Sequence, residues 1–236
     1  LGRERGLVLA GAGAGVAAAF NTPLAGILFA IEEMAKSYER RTMTLVLAST
    51  AIAGAVTIGL IGNYVYFGTV SGELSDIRQW LAIPICAVVG GALGALFSRL
   101  TIATQLRRVA AVARLKSWPI AFAAGCGLLV ALLAWLTNDY AATSGYEKTR
   151  AIFDEGMHYP WWYAFAKLAA TLLSTISGIA GGLFSPSLSV GAGLGSLVAP
   201  LLPGIPFATL SLLMMVAYFT VVVQAPLTAF VIILEM

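Results

Sequence analysis

The chain has 236 residues, 59% of them apolar and 11% charged, with a net charge of +3 and a mean hydropathy of +0.89. A soluble domain carries roughly 25% charged residues, so this composition excludes an ordinary water-facing surface and describes an integral membrane protein. The small positive balance sits in short loops, not in a stripe with interleaved aromatics, which excludes nucleic acid as a partner.

In chain order, residues 6–31 are apolar but are interrupted by Asn21-Thr22-Pro23. Proline favours the first turn of a helix, and Asn or Thr before it can cap. Two short helices are therefore expected, about 7–19 and 22–34, neither long enough to cross ~30 Å of hydrocarbon alone. Longer helices follow near 43–63, 79–110 and 117–137; residues 43–62, 79–98 and 117–138 carry no charge. Each uncharged run suits a span of ~20 residues. Cys86 and Cys126 fall inside these runs and are expected to be reduced packing residues. A further helix is expected over about 160–177. From Leu168 to Leu234 there is no Asp, Glu, Lys, Arg or His, but Gly and Pro break this region at 177–187, 199–206 and 224–227. Broken helices are expected near 184–199, 206–221 and 225–236. No signal peptide is visible; the chain opens on Leu1, stops inside an apolar helix at Met236, and reads as a piece of something longer.

Loop charge sets orientation. Residues 35–42 carry Lys36, Arg40 and Arg41, and residues 99–116 carry Arg99, Arg107, Arg108, Arg114 and Lys116. The alternate loops, 64–78 and 138–159, have no comparable excess. The positive-inside rule places the first pair in the cytoplasm. Trp161, Trp162 and Tyr163 then form an expected aromatic belt on the outer side.

One helix is written twice. "NTPLAGILFAIEEM" at 21–34 returns as "QAPLTAFVIILEM" at 224–236, each with Pro-Leu and a glutamate nine positions after the proline. The deduced orientation sends the first copy inward and the second outward, the pattern of an inverted-repeat transporter. The repeats are assigned to residues 1–110 and 111–236 of a single membrane domain.

"GIAGGLFSPS" is the most informative break. Gly181 and Gly182 leave the backbone uncovered, and Pro186 suits the first turn of a new helix. Such a start exposes N–H groups and the positive dipole end at membrane depth, where an anion is the natural ligand. No arginine lies near in sequence, and partial charges release a small anion faster than a full charge does. A second reading stands beside it: the glycines serve close helix packing, and the Ser185 and Ser187 hydroxyls satisfy the amides. Glu32 and Glu33, ~100° apart on a helix, cannot share a face. Lys36 lies four residues after Glu32, a surface pair. One acid is then solvated and the other turned inward to carry protons, unless both face water. Glu235 is the repeat partner of Glu32, which leaves Glu33 unique to the first copy. Lys167 is expected to snorkel to the interface rather than neutralise a buried partner. His158 has no partners at ligand spacing, so no metal site is expected. A rival class, an intramembrane enzyme using Ser185 or Ser177, lacks a nearby base.

Together these strings resemble the CLC family of chloride channels and chloride/proton antiporters. "GAGAGVAAAFNTPLAGILFAIEEM" looks like its first-repeat helix pair, and "QAPLTAFVIILEM" like the second-repeat counterpart. "GGLFSP" matches its Gly-x-Phe-x-Pro anion motif at Gly182, Phe184 and Pro186, and "ATSG" at 142–145 is similar to its outer loop. The resemblance implies an all-α, CLC-like inverted repeat of short, broken and tilted helices, multi-pass in a bacterial inner membrane. It implies that backbone N–H groups of Leu183, Phe184 and Ser185 face chloride, and that Glu33 matches the antiporters' internal proton-transfer glutamate. It implies no cofactor beyond the chloride substrate, and a homodimer in lipid through helices near 22–34, 43–63 and 225–236. The function implied is chloride/proton antiport; the alternative is a passive, voltage-gated-type chloride channel of the same fold. The family's Gly-Ser-Gly-Ile-Pro and Gly-Arg-Glu-Gly-Pro segments and its C-terminal tyrosine helix are not in the sequence. "GRERG" at 2–6 imitates the second of these but lies too close to "FNTP", so Glu4 is expected in a surface loop.

Overall fold

The computed structural model describes residues 2–36, 40–68, 76–106 and 110–236. Parts of the loops used for orientation, residues 37–39, 69–75 and 107–109, lie outside the described residues, as does Leu1. Among the described residues every regular element is helical: α1 (Gly2–Phe20), α2 (Pro23–Phe29), α3 (Arg40–Ile61), α4 (Ala82–Gln105), α5 (Ala110–Leu115), α6 (Pro119–Leu136), α7 (Tyr146–Asp154), α8 (Trp162–Ile176), α9 (Phe184–Val198), α10 (Phe207–Val223) and α11 (Pro226–Glu235). A π turn, Ala30–Ala35, continues α2, and 3-10 turns at Ile77–Leu81 and Ala199–Leu201 flank α4 and α9.

Proline opens three of these helices. Pro23, Pro119 and Pro226 each stand at the first helical turn, after a residue with extended backbone. Proline lacks only an N–H that a first turn leaves unused, and it pushes the preceding residue out of the helical region. The expected single helix over 79–110 is corrected: α4 ends at Gln105. Glu4 is also corrected, standing exposed in the first turn of α1 rather than in a loop. Helix α7, inside the expected outer loop, has no counterpart in the sequence reading. Among the described residues four helical stretches have the length and apolarity to cross a membrane: Thr42–Ile61, Gln79–Gln105, Pro119–Leu136 and Phe184–Leu201. The third buries only Cys126 and exposes Leu128, Trp135 and Leu136, so its surface suits lipid.

By contact the chain forms two compact units, one of Leu1–Thr69 with Val223–Met236 and one of Val70–Val222. Contact and sequence repetition are different criteria, so these units do not coincide with the two repeats. In the first unit α1 packs on α2 and α3. Small residues set that approach: a Cβ on Gly13 would lie 2.8 Å from the Gly26 carbonyl oxygen. Leu9, Ala30, Met43 and Val46 fill the core beneath. In the second unit α9 packs on α8, and the core is built by α4, α8, α9 and α10. Here a Cβ on Gly90 would lie 2.7 Å from that of Ala217, and one on Gly191 would lie 2.6 Å from Met215 Cα. Membrane helices lack a hydrophobic drive to associate and rely on such close van der Waals contact.

Candidate anion site and its glutamates

Between Ser177 and α9 the chain leaves helical geometry. Gly181 and Gly182 are exposed, and a Cβ placed on either would meet no atom within 4 Å. These two glycines therefore do not serve close packing, in contrast to Gly191 within α9. Helix α9 starts at Phe184 with no side-chain cap, and its first internal bond runs from Ser187 N–H to the Leu183 carbonyl at 3.0 Å. The first N–H groups of a helix lie outside its own hydrogen-bond ladder. Pro186 contributes none. The Ser185 and Ser187 hydroxyls are buried without a hydrogen-bond partner, so neither caps this terminus. The Phe184 ring stands edge-on to Phe219 at 5.2 Å. The result is an open, uncharged helix start that carries only partial positive charge.

The "ATSG" loop is tied to α8 and α9 by an unexpected device. Lys167 is 1% exposed, which corrects the snorkelling expectation. Its Nζ donates to the carbonyls of Ala141 (3.2 Å), Ala142 (2.9 Å) and Thr143. Among the described residues no carboxylate partners it; three carbonyl dipoles carry the charge instead. Beside it Gly145 takes a left-handed conformation (φ 79°), with Ser189 where a side chain would stand. Ser189 Oγ lies 2.7 Å from the Tyr163 hydroxyl. Tyr163 is thus fully buried and leaves the expected aromatic belt, while Trp161 stays 65% exposed. Replacing Lys167 by Met removes the donor to one buried and two part-buried carbonyls and is expected to lower stability by roughly 1–3 kcal/mol. Thermal unfolding in detergent measures this; an unchanged midpoint would show the carbonyls to be satisfied without the lysine.

The repeated helix is repeated down to its backbone angles. Asn21 and Gln224 are both left-handed, with φ 57° and 60°. Thr22 (φ −125°, ψ 78°) matches Ala225 (φ −128°, ψ 82°). The two copies lie antiparallel, and each glutamate reaches the other's start. Glu235 accepts hydrogen bonds from the N–H groups of Leu24 (3.2 Å) and Ala25 (2.9 Å). Glu32 accepts from Leu227 N–H (3.1 Å), Thr228 N–H (2.8 Å) and the Thr228 hydroxyl (2.9 Å). The expected Glu32–Lys36 surface pair is therefore corrected, because helix amides at a dipole's positive end outcompete an exposed lysine. Glu33 is half-buried and makes no hydrogen bond or ion pair among the described residues. Sequence reasoning missed the reciprocal caps. A signal was present: Ala225 has no side chain to cap α11, and the matching acid of the other copy was the available acceptor.

Helix α9 thus begins uncapped in an uncharged, apolar segment of an all-helical chain with helices fit to cross a membrane. The model of the voltage gated chloride channel family matches residues 2–236, and the chain belongs to that family. It is 32% identical to proteins named H(+)/Cl(-) exchange transporter ClcA from Yersinia pestis and from Salmonella agona, with 98% of the chain covered in each case. The chain spans about half the length of these curated relatives, 50% in both. Two solved structures share the fold. A CLC-type fluoride/proton antiporter matches with a TM-score of 0.81 at 22% identity, covering 98% of this chain and 57% of that one. A slow cyanobacterial Cl-/H+ antiporter matches with a TM-score of 0.64 at 21% identity, covering 98% and 56%.

Proposed function

We propose that this chain carries the anion-binding and proton-transfer elements of a chloride/proton antiporter in a bacterial inner membrane. The observation that carries the reading is the start of α9, open at Gly181 and Gly182 and uncapped by Ser185 or Ser187. The backbone N–H groups of Leu183, Phe184 and Ser185 hold chloride there through partial charges, and the motif residues Gly182, Phe184 and Pro186 shape the turn. Binding by dipoles alone is weak enough to let the ion leave. Glu33, free of partners among the described residues, takes up and releases the proton. The relatives named as exchange transporters support exchange over passive conduction. They also support transport over an enzyme built on Ser185 or Ser177; the Ser177 hydroxyl is engaged with the Ser174 carbonyl at 2.7 Å. The pairing of two copies through α2, α3 and α11 is supported by apolar side chains left outward there, such as Leu24, Ile52 and Leu227.

The test is flux from liposomes loaded with chloride and containing the intact gene product. A chloride gradient is expected to drive protons against their own gradient, and calorimetry is expected to show chloride binding. Chloride flux without protons would point to the channel; no flux and no binding would reject transport.

A further inference from the structure

Glu32 sits beside the proposed proton carrier, yet its carboxylate is committed elsewhere. It accepts three hydrogen bonds from Leu227 and Thr228 at the start of α11. Charge-assisted bonds of this kind are roughly twice as strong as neutral ones. The twin contact, Glu235 on Leu24 and Ala25, does the same for α2. The first copy widens at its end into the π turn Ala30–Ala35. Lys36 N–H closes that turn on the Ile31 carbonyl at 2.9 Å, and Arg5 Nη2 closes its end on the Ala35 carbonyl at 3.2 Å. Glu32 and Glu33 both stand within the widened turn. Such turns are rare and are found frequently at functional sites.

We infer that Glu32 is a positioning residue for proton transfer: by capping α11 it holds the π turn open and so fixes the direction in which Glu33 projects. The inference rests on the proposed role of Glu33. A π turn holds one residue more per hydrogen-bonded loop than an α turn. Relaxation to α geometry shifts the register by one residue, a rotation of ~100° about the axis. Glu32 opposes that relaxation because turning it away strands the α11 amides. The Glu235 cap restrains α2 equally but has no second acid beside it, so it has no carrier to aim.

The twin supplies the control. Glu32→Gln and Glu235→Gln each weaken one cap of the same pair. In the intact gene product in liposomes, both are expected to lower thermal stability in the same direction. Only Glu32→Gln is expected to lower the proton-to-chloride ratio severalfold while chloride still moves. Thr228→Val removes a single donor to Glu32 with little change of shape, and is expected to shift the ratio the same way should Glu32→Gln not fold. A ratio unchanged in the folded Glu32 and Thr228 variants, or changed equally by Glu235→Gln, overturns the positioning role. If Glu33→Gln itself leaves coupling intact, the Glu33 reading is what has failed.

Discussion

Replacing Glu33 by Gln is expected to stop proton transport while chloride continues to move. The substitution keeps size and polarity and removes only the ability to bind and release a proton. A carboxyl group is suited to that task, because it can both hold and release a proton. Glu33 has the freedom to exchange protons, since it makes no hydrogen bond or ion pair among the described residues. Its neighbour is fully committed to α11. Proton flux in liposomes should fall to the leak of protein-free vesicles, with chloride flux retained. Coupled flux at the original ratio would remove Glu33 from the mechanism.

Two glycine substitutions, at Gly191 and Gly182, are expected to give opposite results. Gly191→Ala places a methyl group where Met215 Cα stands at 2.6 Å and the Met214 carbonyl oxygen at 3.1 Å. These are backbone atoms of α10 and cannot rotate away. The helices must separate, at a cost of about 1–3 kcal/mol for overpacking. Lower thermal stability and a loss of folded protein in detergent are the expected readouts. Gly182→Ala meets no atom within 4 Å and needs no unusual φ, so stability should change by no more than ~0.5 kcal/mol. Its methyl group instead projects beside the open start of α9. Chloride affinity by calorimetry is expected to fall in a protein that remains fully folded. A Gly182→Ala protein that binds chloride normally would argue that the ion does not approach from this side.

Much of this architecture was legible in the chain. The uncharged runs marked the spans, because hydropathy is a sum over neighbours in sequence. Pro23 and Pro226 marked helix starts, because the proline ring acts on its own and the adjacent residue. The duplicated Pro-Leu strings showed the repeat, and the backbone angles around Thr22 and Ala225 repeat with them. Helix α7 escaped notice because its polar residues resemble a loop. The end of α4 was misplaced because the sequence past Gln105 carries no Gly or Pro to stop a helix.

The sequence by itself determined residence in a membrane, the breaks between helices and the pairing of Glu32 with Glu235 as equivalents. Only the tertiary structure decided what those equivalents touch, that Lys167 is buried against carbonyls, and that Gly191 is packed while Gly182 is open. Propensity and hydropathy act over a turn or two of chain, whereas a cap or a close contact depends on which remote segment arrives. Glu32 finds Thr228 only when the two copies fold back antiparallel, and no local rule encodes that meeting.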